Sequence, residues 1–316
     1  MNSIIPVICA QDIMSLVRAL PGSAAQGLIW GIMAIGVFIT YKILNFADLT
    51  VDGTMGTGGA VTVMLILAGY EPVVAVAMAL IAGMLAGLIT GILHTVLGIP
   101  DILAGILTQI SLYSINLNIA QGRANQAVSV DAYRLIVSGR DITATVATVL
   151  IIIVVIIAIL YWFFGTELGF TIRSTGGNEN MSRAQGISTA SAKVIALVIS
   201  NGLVGFAGGL LAQYQGNFDV NMGRGAIVIG LASVIIGEVI GEAILGKHLN
   251  FCGRLAFVAI GSIIYYVVIQ FVLWLGLPTI DMKLFSAIVV AIFLAVPYLK
   301  AKHKNSYRRA AKNTKM

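Results

Sequence analysis

Long apolar runs recur along the whole chain, and two of the clearest are residues 146–164 and 255–275. A helix needs about 20 apolar residues to cross the hydrocarbon of a bilayer, whereas a barrel strand alternates apolar and polar residues. Only 10% of the residues are charged, against about 25% in soluble domains. We therefore expect an all-α fold, a polytopic bundle of transmembrane helices.

The apolar runs also divide the chain. About nine stretches have a length close to that of a span, although two are short or interrupted by glycine: residues 27–44, 55–68, 73–97, 102–120, 142–164, 193–211, 226–245, 255–275 and 284–299. We expect about 8–9 spans. Pro21 and Gly22 are expected to break the helix that precedes the first span. Residues 1–26 would then form an interfacial segment, 27–299 the transmembrane domain and 300–316 a basic tail.

Basic residues predict the orientation, because loops that stay in the cytoplasm carry an excess of Lys and Arg. We place the tail in the cytoplasm of a multi-pass cell-membrane protein, with membrane lipid rather than nucleic acid as its neighbour. Counting crossings back puts residues 165–191 inside and 121–141 outside. The N-terminus would lie outside, or inside if residues 55–68 are re-entrant.

Two carboxylates, Asp48 and Asp52, stand at the start of a short apolar segment that is rich in Gly and Thr. Charges at membrane depth usually face protein or water. They either cap a helix by accepting backbone N–H bonds or line a translocation path, and the sequence leaves both readings open. The candidates for lining a path are Asn45, Asp48, Thr50, Asp52, Thr54 and Glu238.

A second motif lies in the polar segment 165–191. Asn178 is a plausible N-cap, Met181 and Ala184 fall on one helical face, and Gly186 is a natural stop. The pattern predicts a short helix of about two turns between two spans. Its small apolar face needs a surface to dock on, unless the segment is simply a solvated loop.

Together these segments resemble the permease subunits of ABC importers for branched-chain amino acids, sugars and nucleosides. Residues 176–187 resemble their coupling-helix loop, although Gly177 stands where a more polar residue is expected. Asn-Phe-Ala at 45–47 resembles the branched-chain amino acid permeases, and Asp-Leu-Thr-Val at 48–51 resembles the Asp-Leu-Ser-Val of the sugar permeases. Residues 229–237 resemble a shared glycine-bearing segment. The match covers about residues 27–299 and is closest to the predicted tryptophan-type uptake permeases.

The resemblance implies a type II importer-like bundle with a cytoplasmic coupling helix. Two permease chains, here a homodimer, would form the path, and an extracytoplasmic binding protein would deliver a small solute, possibly an amino acid. ATP and magnesium would belong to a separate ATP-binding subunit, so we expect neither a cofactor nor enzymatic activity in this chain. The residues implied for contact with the ATPase are Arg173, Gly176, Asn178, Glu179, Met181, Arg183, Ala184 and Gly186.

An ion-coupled secondary transporter is the main alternative, in which Asp48, Asp52 or Glu238 would bind a proton or a cation. The sequence shows no clear internal repeat to favour it. A membrane enzyme is disfavoured, because the histidines and cysteines are scattered. The string 241–248 nearly matches a P-loop, but it ends in His248 where a hydroxyl residue is needed, and it continues an apolar run.

Small residues and charges suggest two further contacts. Gly83, Gly87 and Gly91 recur every four residues, which is typical of a close-packed helix face. We expect this face to pack within the subunit rather than to form a dimer. Glu238 lies near the end of an apolar run, where Lys247 would offset its charge.

Overall fold

The structure is a computed structural model that describes residues 13–130, 132–246 and 249–275, with several positions between 284 and 295. Apart from two short strands, its regular elements are helices. In chain order they are α1 (Ile13–Phe38), α2 (Val51–Leu67), α3 (Pro72–Thr95), α4 (Asp101–Ile119), β1 (Asn125–Ala127), α5 (Ile142–Phe164), α6 (Glu167–Gly177), α7 (Glu179–Ala184), α8 (Thr189–Gln215), β2 (Asn217–Asp219), α9 (Ala226–Leu245) and α10 (Phe251–Trp274).

Seven helices in the described part of the chain are long and apolar enough to cross a membrane. They are α1 with its π-helical extension Ile39–Ile43, α3, α4, α5, α8, α9 and α10. α2, with 17 residues, is apolar but shorter. The expected polytopic helical bundle is thereby confirmed. The number of spans stays a prediction, because most of the last expected stretch, 284–299, lies outside the described residues.

The expected helix break at Pro21 and Gly22 is wrong, because α1 runs through both residues. Proline removes one intrahelical hydrogen bond, here the bond to the Val17 carbonyl, and such a loss is tolerated in the helices of membrane bundles. The Ser23 hydroxyl donates to the Ala19 carbonyl at 3.2 Å, and the Tyr214 hydroxyl donates to the Gly22 carbonyl at 3.2 Å. The division of the chain at residues 26 and 299 stays a prediction.

α8 lies at the centre of the bundle, where α1, α2 and α3 pack against it. The regularly spaced Gly83, Gly87 and Gly91 of α3 face residues 194–201 of α8 at distances that leave little or no room for a side chain. Close approach of two backbones is what small residues permit in membrane bundles. The expectation that this glycine face packs within the subunit is therefore confirmed.

The two ends of the bundle carry different elements. We call the end that holds α6 and α7 the α7 end, and the end that holds β1 and β2 the strand end. α1 begins at the strand end, where Gly22 meets Tyr214 near the end of α8. It finishes at the α7 end, where Gly176 of α6 lies against the carbonyl of Ile43. β1 and β2 pair antiparallel and thereby join the α4–α5 loop to the segment that follows α8.

One crossing of the bundle is half irregular. Residues 44–50 are not helical, buried and exposed positions alternate along them, and Asn45 has a positive φ of 56°. α2 starts only near the middle of α8, where the Thr54 hydroxyl donates to Asn201 Oδ1 at 2.7 Å. It then runs beside α8 with Gly58 against Gly205. The irregular segment therefore covers the half nearer the α7 end, and α2 covers the other half.

The chain also turns back into the bundle after α8. Phe218 and Gly223, in the segment 216–225, lie against α2 near Gly59 and Asp52 respectively. The segment therefore descends from the strand end beside α2, and α9 begins inside the bundle rather than at its surface. α2 and α9 thus both have their N-termini at depth, which is the arrangement that places the polar groups described next.

Candidate functional site

The carboxylate of Asp48 lies in the middle of the bundle and is only 1% exposed. Its Oδ1 accepts a hydrogen bond from the Thr50 backbone N–H at 2.9 Å, and its Oδ2 accepts one from Asn201 Nδ2 at 2.7 Å. Asn201 Oδ1 in turn accepts from the Thr54 hydroxyl. Asp48 therefore caps the start of α2, as one of the two sequence readings proposed, and also ties that start to α8.

Threonine hydroxyls extend this network to two further helices. Thr50 and Thr90 share a hydrogen bond of 2.7 Å between their hydroxyls, and Thr90 donates to Thr108 at 2.9 Å. All these side chains are buried. Within the described ranges, Asp48 forms no ion pair with a basic side chain. Hydrogen bonds are thus what compensates its burial, and the network links α2, α3, α4 and α8.

Asp52 caps a helix other than its own. Its Oδ2 accepts from the Gly225 N–H at 3.0 Å and its Oδ1 from the Ile227 N–H at 2.9 Å. These groups are the otherwise unpaired donors at the start of α9, where a negative charge is favoured. Gly225 has a φ of 87°, which suits glycine at this junction. The adjacent carboxylates of the sequence therefore serve two different helices.

The remaining path candidates lie at other places. Glu238 is near the α7 end, 2.9 Å from Lys42 Nζ and 3.8 Å from Arg254. Lys42 and Arg254 therefore offset the charge of Glu238. We had expected Lys247 to do so, and that residue lies outside the described residues. Asn45 is exposed, at the start of the irregular segment. The structure thus brings Asp48, Thr50 and Thr54 together but separates them from Glu238 and Asn45, and contact of any of them with a solute stays a prediction.

The short helix predicted around Asn178 is present as α7. The Asn178 side chain accepts a hydrogen bond from the Met181 N–H at 3.0 Å, as expected of an N-cap. Gly186 follows the helix with a φ of 80°, as expected of a stop. The preceding helix α6 was not predicted, although Thr166, whose hydroxyl accepts from the Gly169 N–H, is a recognisable cap. Because α6 ends at Gly177, the unexpected glycine there has open space around it.

Charged side chains fix α7 to the bundle. Glu179 accepts hydrogen bonds from Lys193 Nζ at 2.9 Å and from Arg183 Nη2 at 2.6 Å. The bond from Lys193, above all, lowers the pKa of the Glu179 carboxyl below its usual value. Lys193 also meets His94 of α3 at 3.3 Å. The helix therefore stands on the ends of α3 and α8, while Met181 points away with 59% of its surface exposed.

The other residues of the predicted coupling loop position α6. The Arg173 guanidinium lies 4.5 Å from the ring centroid of Phe251 in α10, a favourable cation–π geometry. Gly176 packs on the backbone of Ile43 and leaves no space for a side chain. Arg173 and Gly176 are therefore internal contacts of α6, whereas Ala184 and Gly186 end the exposed helix. Their role toward an ATPase stays a prediction.

Several polar residues that the structure uses were not predicted from the sequence. Asn201, Thr90 and Thr108 belong to the central network, and Lys193 holds α7. The available signal was an asparagine in the middle of an apolar run, because a strongly polar side chain at membrane depth normally needs a partner. Arg224 was also missed, because it lies in a segment that the sequence did not show to be inside the bundle.

Comparison with known proteins agrees with this architecture. The chain is 40% identical over 281 residues to the tyrosine transport system permease protein of Clostridioides difficile, which covers 89% of this chain and 92% of that protein. It is 34% identical over 272 residues to an uncharacterized protein of Rickettsia prowazekii, with 85% and 94% covered. The D-allose transport system permease protein of Escherichia coli is 27% identical over 248 residues, with 76% and 71% covered. No solved structure matched the chain.

Residues 20–297 match the family described as the permease component of branched-chain amino acid transport systems. Members of such a family are the membrane components of transport systems and not enzymes, with ATP hydrolysis in a separate subunit. The match covers the described bundle and extends beyond α10. This chain therefore belongs to the branched-chain amino acid transport system permease family.

Proposed function

We propose that the chain is the membrane-spanning subunit of an ATP-driven importer for a small solute, and that this solute is an aromatic amino acid. The family and its transport-system relatives support the general role. The aromatic class is supported by the relative named for tyrosine transport, which is 40% identical over most of both chains. An extracytoplasmic binding protein would deliver the solute, at the strand end.

The observation that carries this proposal is the presentation of α7. A short helix that is capped at Asn178 and held by Glu179 offers an exposed Met181 at one end of the bundle. Because α7 is bound to α8 and presents an exposed apolar side chain, it is suited to transmit movement between a bound partner and the bundle. We propose that the ATP-binding subunit receives it there, that this end is cytoplasmic together with the basic tail, and that ATP and magnesium stay on the partner.

We also propose that the path forms between two copies of the chain. The polar side chains at mid-depth, including Asp48, Thr50 and Asn201, bond to one another and do not face an opening in the described part of one chain. A path between copies leaves this network intact. Lipid would cover the remaining apolar faces, such as those of α3 and α5, where large apolar side chains are exposed.

The test of the proposal is co-purification in detergent. The tagged chain is expressed with a candidate ATPase subunit, and the recovery of the ATPase is measured. We expect recovery in equal amounts, and loss of the ATPase when residues 178–186 are replaced by a glycine-serine linker. A chain that is recovered alone, with uptake that follows a proton or sodium gradient and needs no ATP, would contradict the proposal.

Replacing Met181 by Asp should reduce ATPase recovery about tenfold or more, because a single apolar anchor at the centre of an interface often dominates its affinity. Tyr70→Asp is the matched control, since Tyr70 is 56% exposed in a loop at the strand end. We expect Tyr70→Asp to leave recovery unchanged. Equal effects of the two substitutions, or none from Met181→Asp, would remove α7 from the interface.

ATPase recovery should also depend on pH through Glu179. The pKa of Glu179 is lowered chiefly by Lys193, so its ionised form stabilises the seating of α7. This stabilisation is complete above the ordinary carboxyl pKa and is lost as the pH falls through the lowered value. We expect recovery of the ATPase with the native chain to hold in mild acid and to fall only when the pH drops below the ordinary carboxyl pKa. Glu179→Gln should be weaker at neutral pH and should lack that step; a step that persists in this variant would place the titrating group elsewhere.

A further inference from the structure

A cavity of about 650 Å³ opens in the half of the bundle nearer the strand end. It lies between α1, the start of α9, α10 and the segment 216–225 that descends into the bundle. This volume is within the range of small-molecule sites, about 300–1,000 Å³. Six of the residues that line it are Gln26, Trp30, Arg224, Val228, Tyr265 and Tyr266.

One wall of the cavity is aromatic. The ring centroids of Trp30 and Tyr266 are 5.8 Å apart, and those of Tyr265 and Tyr266 are 5.5 Å apart. Trp30 is only 5% exposed, and its Nε1–H has no hydrogen-bond acceptor within the part of the chain that the structure describes. The wall therefore presents flat apolar surface.

Among the described residues that line the cavity, the charged side chain is Arg224. Arg224 is exposed and has no ion-pair partner among the described residues. The nearby carboxylate of Asp52 already accepts from Gly225 and Ile227 at the start of α9. The side chains known to line the cavity include Gln26 but neither Asp nor Glu. A guanidinium in this setting favours a carboxylate, which it can bind through two parallel hydrogen bonds.

We propose that this cavity of one chain binds the solute as it enters from the strand end, before the solute passes between the two copies, and that the solute is an amphipathic carboxylate with an aromatic side chain. Arg224 binds the carboxylate, and the rings of Trp30 and Tyr266 pack against the aromatic group. This inference rests on the proposed function, since it names the site through which the same transporter recognises its cargo.

The first test measures whether the solute occupies the cavity. In a chain with Cys9 and Cys252 replaced by Ser, Val228→Cys places a thiol in the cavity wall, and Ile244→Cys places one at the far end of the same helix. Both parent side chains are exposed. In the assembled transporter, L-tryptophan at twice its dissociation constant should slow labelling of Cys at 228 by a negatively charged methanethiosulfonate about threefold. Labelling at 244 should not change.

The second test removes the charge. Arg224→Gln should raise the KM for ATP-driven uptake of L-tryptophan or L-tyrosine about tenfold or more, because a charged hydrogen-bond partner is lost. Arg123→Gln is the matched control, since Arg123 is exposed at the same end and bonds only to Gln126 among the described residues. Tyramine, which lacks the carboxylate, should compete poorly with the native chain, and Arg224→Gln should reduce the difference between tyramine and L-tyrosine.

The outcomes separate the site from the function. Three results would overturn the site but leave the proposed function standing, provided that uptake is ATP-driven. They are a lack of protection at position 228, a thiol at that position that never reacts, and an unchanged KM in Arg224→Gln. Assembly with the ATPase but no uptake of either amino acid, with binding of neither at the cavity, would overturn both the substrate class and the site. If the native chain does not assemble with the ATPase, the proposed function itself is overturned.

Discussion

Gly58→Ala should leave little folded permease in the membrane. A Cβ at Gly58 would collide with the backbone of Gly205, including its carbonyl group, where α2 runs beside α8. Backbone atoms of two packed helices cannot move aside as a flexible side chain can, so we expect a destabilisation of about 3 kcal/mol or more. The measurement is the yield of monodisperse protein after detergent extraction, together with its thermal unfolding midpoint.

Gly177→Ala is the control for this substitution. Gly177 is the last residue of α6, whereas Gly58 lies inside α2. No atom lies within 4 Å of the position of a Cβ at Gly177, so this change should stay within about 0.5 kcal/mol. A Gly58→Ala protein with native yield and midpoint would mean that α2 and α8 are not in direct backbone contact. The contact between Gly58 and Gly205 would then not contribute to the stability of the protein.

Asp48→Ala should be nearly as disruptive, for a different reason. It would leave the Thr50 N–H and one N–H of Asn201 without their acceptor in the buried centre of the bundle. Each buried unsatisfied donor costs about 1–3 kcal/mol, so the two together predict a loss of about 2–6 kcal/mol. Thermal unfolding of the purified protein measures this loss, and a normal midpoint would contradict the described network.

Asp48→Asn separates shape from charge. The new amide can still accept from the Thr50 N–H. Its NH2 can donate to Asn201 if the Asn201 amide turns over, while Thr54 keeps its bond to the Thr50 carbonyl. We therefore expect a folded protein that retains ATP-driven uptake. A folded Asp48→Asn protein without uptake would show that the charge itself is needed, which would favour the ion-coupled alternative.

The sequence predicts best those features that depend on residues close together in the chain. The stretches 142–164 and 226–245 coincide with α5 and α9, because each is an apolar run bounded by polar residues or glycine. The Asn178 cap was predicted for the same reason, since cap and recipient lie three residues apart. The predicted break at Pro21 is wrong because α1 continues through the proline inside a bundle of packed helices, a setting that the local sequence pattern does not contain.

The candidate site depends on contacts that no local pattern contains. The backbone N–H groups that Asp52 binds lie more than 170 residues further along the chain, so the sequence suggested a cap but could not say of which helix. Asp48 and Asn201 meet for the same reason only in the folded bundle. Arg224 became a candidate only when the segment after α8 was found to descend beside α2.

The irregular start of the second crossing has a consequence for the biogenesis of the protein. Asp48 and the exposed backbone of residues 44–50 cannot rest in hydrocarbon on their own, because nothing there satisfies them. Their main partner, Asn201, is encoded 153 residues later, which at about 5–20 residues per second means a delay of about 8 to 30 s. During that interval the segment must stay in the insertion machinery or at the water interface. A chain truncated before α8 lacks Asn201, so Asp48 would stay without this partner. We expect cellular quality control to recognise such a chain as incompletely folded.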